Sequence, residues 1–180
     1  MKNKTLMLYA FIIMLCFCFA QCKKTNTPDP GEQLPPETQT GAFTFGCKVD
    51  GKIYTAKGKG GLLSNESVWY GYYSDSSIII SVSNSISKFN FRAEFKYLGQ
   101  VGLYELKEYP YEGIFNDNSN GTIPGTSNTY GTNNLNIGKI NLKYFTPTIG
   151  SALAGTFDIY AKNQNGKIIH ITEGRFDIGF

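Results

Sequence analysis

The sequence has little of what most catalytic, metal and nucleic-acid sites require. It contains one histidine, His170, and its formal net charge is only +3. A lone histidine argues against a zinc site and against a histidine-based nucleophilic site, which need several converging groups. A near-neutral chain gives no reason to expect nucleic acid as a partner. We therefore predict no enzyme, no metal, no cofactor and no nucleic-acid partner.

Cysteine is also scarce, and its placement excludes a disulfide framework. Three of the four cysteines (Cys16, Cys18 and Cys22) lie near the N-terminus, and only Cys47 lies further along the chain. With a modified Cys22, no second thiol would remain to pair with Cys47. We expect Cys47 to pack as a small apolar residue.

The N-terminal residues have the layout of a secretory signal. Two lysines, Lys2 and Lys4, precede an apolar run from Leu6 to Ala20. A positively charged start, a short apolar run and a processing site define a signal peptide. The run is too short for a membrane-spanning helix, which needs roughly 20 apolar residues. The pattern predicts export.

The apolar run breaks off at Phe19-Ala20-Gln21-Cys22, which resembles a bacterial lipobox. In a lipobox the cysteine is lipidated and becomes the first residue of the mature protein. Several acyl chains anchor a protein firmly because each buried CH₂ contributes about 0.8 kcal/mol. We predict a lipoprotein signal peptide over 1–21 and lipidation of Cys22 with palmitate. An ordinary signal peptide cut near Ala20 is the alternative.

A polar segment follows Cys22. Residues 22–41 contain four of the seven prolines and almost no apolar side chains. Proline-rich segments stay extended at about 3.1 Å per residue, so we predict a disordered tether. The anchor would place the protein in the bacterial cell envelope, at the outer membrane. No acidic cluster follows Cys22, and its absence favours the periplasmic face. The sequence does not assign the leaflet.

From Ala42 onward, apolar residues recur at every second position. Phe89, Phe91, Ala93 and Phe95 alternate with polar or charged residues, as expected for an antiparallel strand with one wet face. The same alternation occurs in four further segments: Ile78–Val82, Ile140–Tyr144, Phe157–Ala161 and Phe176–Phe180. The pattern predicts a domain built from strands.

Turn residues separate the predicted strands. Asp50-Gly51 and Asn165-Gly166 supply the positive φ that two-residue hairpin turns demand, and Glu173-Gly174 indicates a bulge. We therefore predict a single all-β domain over 42–180. Its expected form is an antiparallel β-sandwich or flattened barrel of about eight to ten strands, and the sandwich is preferred.

The densest aromatic cluster is Val68-Trp69-Tyr70-Gly71-Tyr72-Tyr73. Alternation places Trp69 and Tyr73 on one face of a strand and Val68 on the other. The preferred expectation is a central strand covered on both faces, with Trp69 in the core. The alternative is an exposed platform of Trp69 and Tyr73, on which sugars stack through their C–H faces.

A polar loop interrupts the strands at Asn116–Asn136, where 16 of 21 residues are asparagine, threonine, glycine or serine. We expect a long loop or a loop with a short edge strand around Tyr130, and Tyr130 joins the candidate ligand-binding residues. Its start, Asn116 to Gly121, has the spacing of a calcium loop but offers amides, with Ser127 where a bidentate glutamate is required. A plain turn is favoured.

Other polar candidates have simpler explanations. His170 alternates with Ile169 and Ile171, so we expect it at the surface. Paired carboxylates can cleave glycosides, and three acids lie near one another in sequence: Asp158, Glu173 and Asp177. Lysines and arginine nearby explain them as outward-facing, cross-strand charge pairs.

Both ends of the domain carry short sequence motifs. The domain opens with Phe45-Gly46-Cys47-Lys48-Val49-Asp50-Gly51-Lys52-Ile53-Tyr54, and near its end it has Gly155-Thr156-Phe157 and Ile171-Thr172-Glu173-Gly174-Arg175-Phe176-Asp177. These segments resemble the F-x-C-x-V-N-G-x-x-W start and the G-T-F and T-x-G-x-F-D motifs of a family of uncharacterised lipoproteins from Bacteroidetes-type bacteria. Asp50 replaces the asparagine and Tyr54 the tryptophan. The resemblance implies a secreted β domain and no particular activity.

Three functions are therefore compared. The first is a lipid-anchored envelope protein with a non-catalytic β domain that binds or scaffolds, with a glycan or an envelope protein as partner. The second is a carbohydrate-binding module that uses the face of Trp69 and Tyr73 or the loop Asn116–Asn136. The third, a hydrolase, is the least favoured.

Overall fold

The computed structural model describes residues 33–107, 112–118, 128–146, 148 and 152–179. Cys22 and the signal segment lie outside these ranges. Every regular element within them is a β-strand. The strands are β1 (Thr44–Val49), β2 (Lys52–Lys57), β3 (Glu66–Tyr72), β4 (Ser77–Asn84), β5 (Phe89–Lys96), β6 (Gly102–Leu106), β7 (Gly113–Asp117), β8 (Thr129–Gly131), β9 (Gly138–Phe145), β10 (Ala152–Lys162) and β11 (Ile168–Gly179).

The strands form one antiparallel sheet that is nearly closed. Its hydrogen-bonded order is β2-β1-β11-β10-β8-β7-β5-β4-β3, and β9 joins β10 to β6. The two ends of this order approach each other, since Val68 N donates to Gly58 O at 2.8 Å. The all-β sandwich or flattened barrel is confirmed, with eleven strands. Their number exceeds the expected range because β6 and β7 are too short to show a period in the sequence.

Phenylalanine side chains fill the interior. Phe45, Phe91 and Phe157 stack with ring centroids 4.9 to 5.4 Å apart. The alternation on β5 is confirmed, because Phe89, Phe91, Ala93 and Phe95 are each no more than 2% exposed. Offset aromatic contacts add about 0.5–1.5 kcal/mol per pair to the burial of apolar surface. The core thus depends on rings from β1, β5 and β10.

A bulge on β9 changes which of its residues enter the core. Ile140 and Leu142 are buried as predicted, but Tyr144 is 37% exposed and Phe145 is 5% exposed. The register with β10 shifts between Ala154 and Gly155, where the partner changes from Tyr144 to Leu142. One extra residue in a strand reverses the alternation beyond it. The prediction that Tyr144 faces the core is therefore wrong.

Two predicted backbone features are confirmed and one is corrected. Asp50 and Gly51 have φ of 48° and 86°, as a two-residue turn requires. At the predicted bulge Glu173 has φ of 50°, and a Cβ on Gly174 would lie 2.4 Å from the Phe157 ring. Asn165-Gly166 instead lies in a longer connection, because the Asn163 carboxamide accepts hydrogen bonds from the backbone N–H of Asn165 and Lys167.

Residues 33–41, which the sequence assigns to the tether, lie along the outer face of β1 and β11. We call them the N-terminal strap. Pro35 lies over Gly46, and the Glu37 carboxylate pairs with Lys143 on β9. The Asp177 carboxylate accepts hydrogen bonds from Thr38 Oγ1 at 2.5 Å and from Gly41 N at 2.7 Å. Because the strap covers it, Asp177 is 1% exposed, although the sequence predicts an outward-facing residue.

Candidate functional site

Strand β3 presents an aromatic side chain to solvent. Val68 is fully buried, whereas Trp69 is 41% exposed on the opposite face. Trp69 lies across from Ser81 on β4, and a serine side chain is too small to cover an indole ring. The preferred expectation of a strand covered on both faces, with Trp69 in the core, is therefore wrong, and Trp69 is half-exposed.

Tyr73 lies on the same side of the sheet as Trp69. It is 48% exposed, and its ring covers Gly71, where a Cβ would lie 2.9 Å from Tyr73 Cε2. The absence of a side chain at Gly71 lets the tyrosine ring lie flat on the strand. We call Trp69, Gly71 and Tyr73 the β3 aromatic surface. It brings together two of the three aromatic residues that the sequence selects.

Polar groups border the β3 aromatic surface on the Tyr73 side. A groove of about 320 Å³ is lined by Tyr73, Ser74, Asp75, Ser77, Ile79 and Glu94. Asp75 accepts hydrogen bonds from Ser77 Oγ at 2.8 Å and from Ser77 N at 3.0 Å. These hydrogen bonds hold the pKa of Asp75 below its usual value. Carboxylates beside a flat ring can accept hydrogen bonds from hydroxyl groups while the ring stacks on an apolar face.

The Glu94 carboxylate, which also lines this groove, is held by a cation. Arg92 Nη2 lies 2.7 Å from Glu94 Oε2, and the Glu94 side chain is 15% exposed. Glu112, which directly precedes β7, lies beside Glu94, because Glu94 N donates to Glu112 O at 2.9 Å. Burial raises the pKa of the Glu112 carboxyl group. Sequence patterns selected neither Asp75 nor Glu94. The pairing of β4 with β5 places Glu94 across from Ile79, in the groove that Tyr73 and Asp75 also line.

A second groove lies on the Trp69 side. It measures about 240 Å³ and is lined by Phe43, Lys59, Trp69, Tyr70 and Gly179. Lys59 Nζ lies 4.7 Å from the centroid of the Phe43 ring. The groove thus combines three aromatic residues with a cation at the end of the sheet where β1 begins and β11 ends.

Tyr130 does not belong to this surface. The short strand predicted around it is present as β8, but its side chain is only 6% exposed and lies in the hydrophobic core. β8 pairs with β7 and contacts β10, so it is not an edge strand. The candidate ligand-binding role of Tyr130 is corrected to a core role, because β8 closes the sheet there.

His170 lies at the surface, as the alternation predicts. Its ring stacks on Tyr160 with centroids 4.0 Å apart, and Nε2 lies 2.9 Å from Asp158 Oδ1. Among the described residues that contact this cluster there is no serine or cysteine. The cluster is a cross-strand pair between β10 and β11.

The three acids that the sequence groups together have separate environments. Asp158 pairs with His170, and Glu173 pairs with Lys48 at 2.6 Å. Both also line an open groove of about 470 Å³ on the outer face of β9 to β11. Asp177 instead lies under the N-terminal strap. Cross-strand charge pairing, as predicted, accounts for Glu173, whereas the partner of Asp158 is His170 and not one of the predicted lysines or arginine.

The remaining candidate groups are metal ligands and the Cys47 thiol. No group of three histidine, cysteine, aspartate or glutamate side chains that could hold a metal ion occurs within the described ranges. Most of the calcium-like segment, residues 119–127, lies outside them. Cys47 is fully buried and free, and burial strongly raises the pKa of its thiol. The expectation that Cys47 packs as an apolar residue is confirmed.

Compared with known proteins, the chain matches no protein-family model, no curated protein and no solved structure. In the described part of the chain there is no helix with the length and apolar content that crossing a bilayer requires. The exposure of Trp69 and Tyr73 and the carboxylates beside Tyr73 make the β3 aromatic surface the candidate site.

Proposed function

We propose that the protein is anchored by lipid in the bacterial cell envelope, at the outer membrane, and that its β domain binds or scaffolds and does not catalyse. The lipobox-like end of the apolar run at Cys22 supports the anchor. The observation that carries the binding role is the exposure of Trp69 and Tyr73 on one side of β3. The motifs shared with Bacteroidetes-type lipoproteins support placing the chain in that family.

The anchor is tested by labelled palmitate in a bacterium that processes lipoproteins. The Cys22→Ala variant should incorporate none, because the thiol that carries the lipid is gone. Cys16→Ala and Cys18→Ala are matched controls inside the apolar run, and both should be labelled like the wild type. Continued labelling of the Cys22→Ala variant would exclude the proposed anchor.

A second candidate function is carbohydrate binding at the β3 aromatic surface. A specific arrangement favours it: the exposed Tyr73 ring borders a groove that also holds the Asp75 and Glu94 carboxylates. Sugar rings stack on aromatic faces while their hydroxyl groups donate to carboxylates. Trp69 extends the same face beyond Gly71. An envelope glycan is the partner that this chemistry fits.

A glycan array separates carbohydrate binding from scaffolding. The wild type should bind a subset of glycans, and Trp69→Ala and Tyr73→Ala should each lower the affinity at least tenfold. Each substitution removes an aromatic ring on which a sugar would stack. Because Trp69 and Tyr73 are both about half exposed, the variants should still fold. Tyr160→Ala is a matched control, since Tyr160 is 46% exposed on β10, and its affinity should not change. A wild type that binds no glycan would eliminate this candidate and leave the scaffold.

A further inference from the structure

The connection between β2 and β3 exposes two leucines completely. Leu62 is 102% exposed and Leu63 is 95% exposed. Ser64 N donates to Gly61 O at 3.0 Å, which closes a β-turn with the two leucines at its central positions. We call residues 61–64 the Leu62–Leu63 turn.

Turn geometry does not explain these leucines. The central positions of β-turns favour glycine, proline, asparagine, aspartate and serine, each for a conformational reason. Leucine has no such advantage, and two exposed leucines side by side carry the cost of hydrating their apolar surface. The side chains contribute nothing to the core. Their position therefore suits contact with an apolar phase outside the protein.

The base of the connection is held firmly on the sheet. Val68 N donates to Gly58 O at 2.8 Å, and a Cβ on Gly60 would lie 2.6 Å from the Ser67 Cβ. The stem thus packs directly against β3, and the tip is presented outward. A tip on a fixed stem loses little conformational freedom when it docks.

Positive charge flanks the apolar tip. Lys57 ends β2 and Lys59 follows two residues later. Glu66, which begins β3, accepts a hydrogen bond at Oε2 from Lys57 N at 2.7 Å and one at Oε1 from Asn84 Nδ2 at 2.8 Å. Lysines near an apolar segment attract anionic lipid headgroups.

An amphipathic aromatic ring lies beside the same connection. Trp69 and Lys59 line one groove together with Phe43. Tryptophan is enriched at the boundary between headgroups and acyl chains, because its indole is apolar but carries an N–H. A bilayer has charged headgroups outside, a boundary region below them and acyl chains inside. The lysines at the base, the tryptophan at the side and the leucines at the tip match these three layers.

We propose that the Leu62–Leu63 turn docks the domain on an anionic lipid bilayer. The two leucines enter the boundary of the acyl chains, and Lys57 and Lys59 face the headgroups. This inference takes its setting from the proposed anchor at Cys22. The eleven peptide units that join Cys22 to Gln33 span at most about 40 Å when fully extended, so they would keep the domain near the bilayer. This segment does not determine which side of the domain faces the bilayer. The Leu62–Leu63 turn determines that side.

The test uses the lipid-free polypeptide from residue 23 to 180, which includes the whole described fold and no acyl chain. It is mixed with vesicles of phosphatidylcholine, with and without phosphatidylglycerol, and bound protein is measured by co-sedimentation. Trp69 is the only tryptophan, so its fluorescence reports on this surface directly. The wild type should bind vesicles that contain phosphatidylglycerol, and its emission should shift to shorter wavelength.

Three variants assign the binding to the turn. Leu62→Ser with Leu63→Ser should weaken binding at least tenfold. Lys57→Gln with Lys59→Gln should weaken it only on vesicles with phosphatidylglycerol and should reduce its dependence on salt. Leu135→Ser is the matched control, because Leu135 is 92% exposed in another connection, and its binding should equal that of the wild type.

Several outcomes would overturn the proposal. They are a wild type that binds neither kind of vesicle, a double leucine variant that binds like the wild type, and a Leu135→Ser variant that weakens binding equally. The vesicle experiment uses a polypeptide without Cys22, whereas the palmitate experiment leaves the turn unchanged. A failure of one is therefore distinguishable from a failure of the other.

Discussion

At the scale of single residues, Phe95 and Trp69 differ in what their side chains contact. Phe95 on β5 is 1% exposed, and its ring lies 4.9 Å from that of Tyr104. Trp69 on β3 is 41% exposed opposite a serine. Both occupy alternating strands, yet only Phe95 belongs to the core cluster.

Truncation of each residue should therefore have a different effect on the free energy of unfolding. Phe95→Ala should lower it by about 3–5 kcal/mol, because the variant loses buried apolar surface and leaves a cavity. Trp69→Ala should change the free energy of unfolding by no more than about 1 kcal/mol, which is the typical change for a single substitution. Chemical denaturation of both variants measures the difference. Equal losses would mean that the indole contributes to the core after all.

At the scale of elements, one carboxylate accepts four hydrogen bonds from the N-terminal strap. Asp177 accepts hydrogen bonds from Thr38 Oγ1, Thr40 N, Thr40 Oγ1 and Gly41 N. Burial raises the pKa of Asp177, but these hydrogen bonds outweigh burial and the net pKa lies below the usual 3.8. The charged carboxylate thus couples the strap to β11.

Asp177→Ala should lower the free energy of unfolding at neutral pH by roughly 1.5–3 kcal/mol, the range for a hydrogen bond to a charged group. Since the pKa of Asp177 is lowered by folding, its contribution is fully present above pH 3.8 and is lost as the pH falls through the folded pKa. The difference in melting temperature between wild type and variant should therefore shrink in acid.

Asp158→Asn is the control for that experiment. Asp158 also lies on the outer face, but its carboxylate pairs with His170 on β11. Its melting temperature should stay close to that of the wild type at neutral pH. A difference between wild type and Asp177→Ala that stays constant down to the lowest pH would show that the charge of Asp177 does not hold the strap.

At the scale of the whole molecule, near-closure of the sheet determines where surface features lie. The ends of the strand order meet where β2 approaches β3, and the connection between these strands carries the Leu62–Leu63 turn. Phe43, Lys59 and Trp69 gather at the same end of the sheet. The proposed bilayer contact and the β3 aromatic surface are thus neighbours, and Trp69 belongs to both.

The sequence by itself determined the fold class and most of the core. Strict alternation allows only one face of each strand to be apolar, so Phe89, Phe91 and Phe95 had to point inward together. The Asp50-Gly51 turn and the bulge at Glu173-Gly174 were also determined by the local sequence, because both depend on backbone conformations that few residues adopt.

Only the tertiary structure decided features that depend on a neighbouring strand or segment. The exposure of Trp69 depends on Ser81 across the sheet, and the burial of Asp177 depends on residues far earlier in the chain. Tyr144 faces outward because of a bulge in pairing with β10. A periodic pattern assigns a residue to a face, but coverage of that face depends on what packs there, and that is not encoded locally.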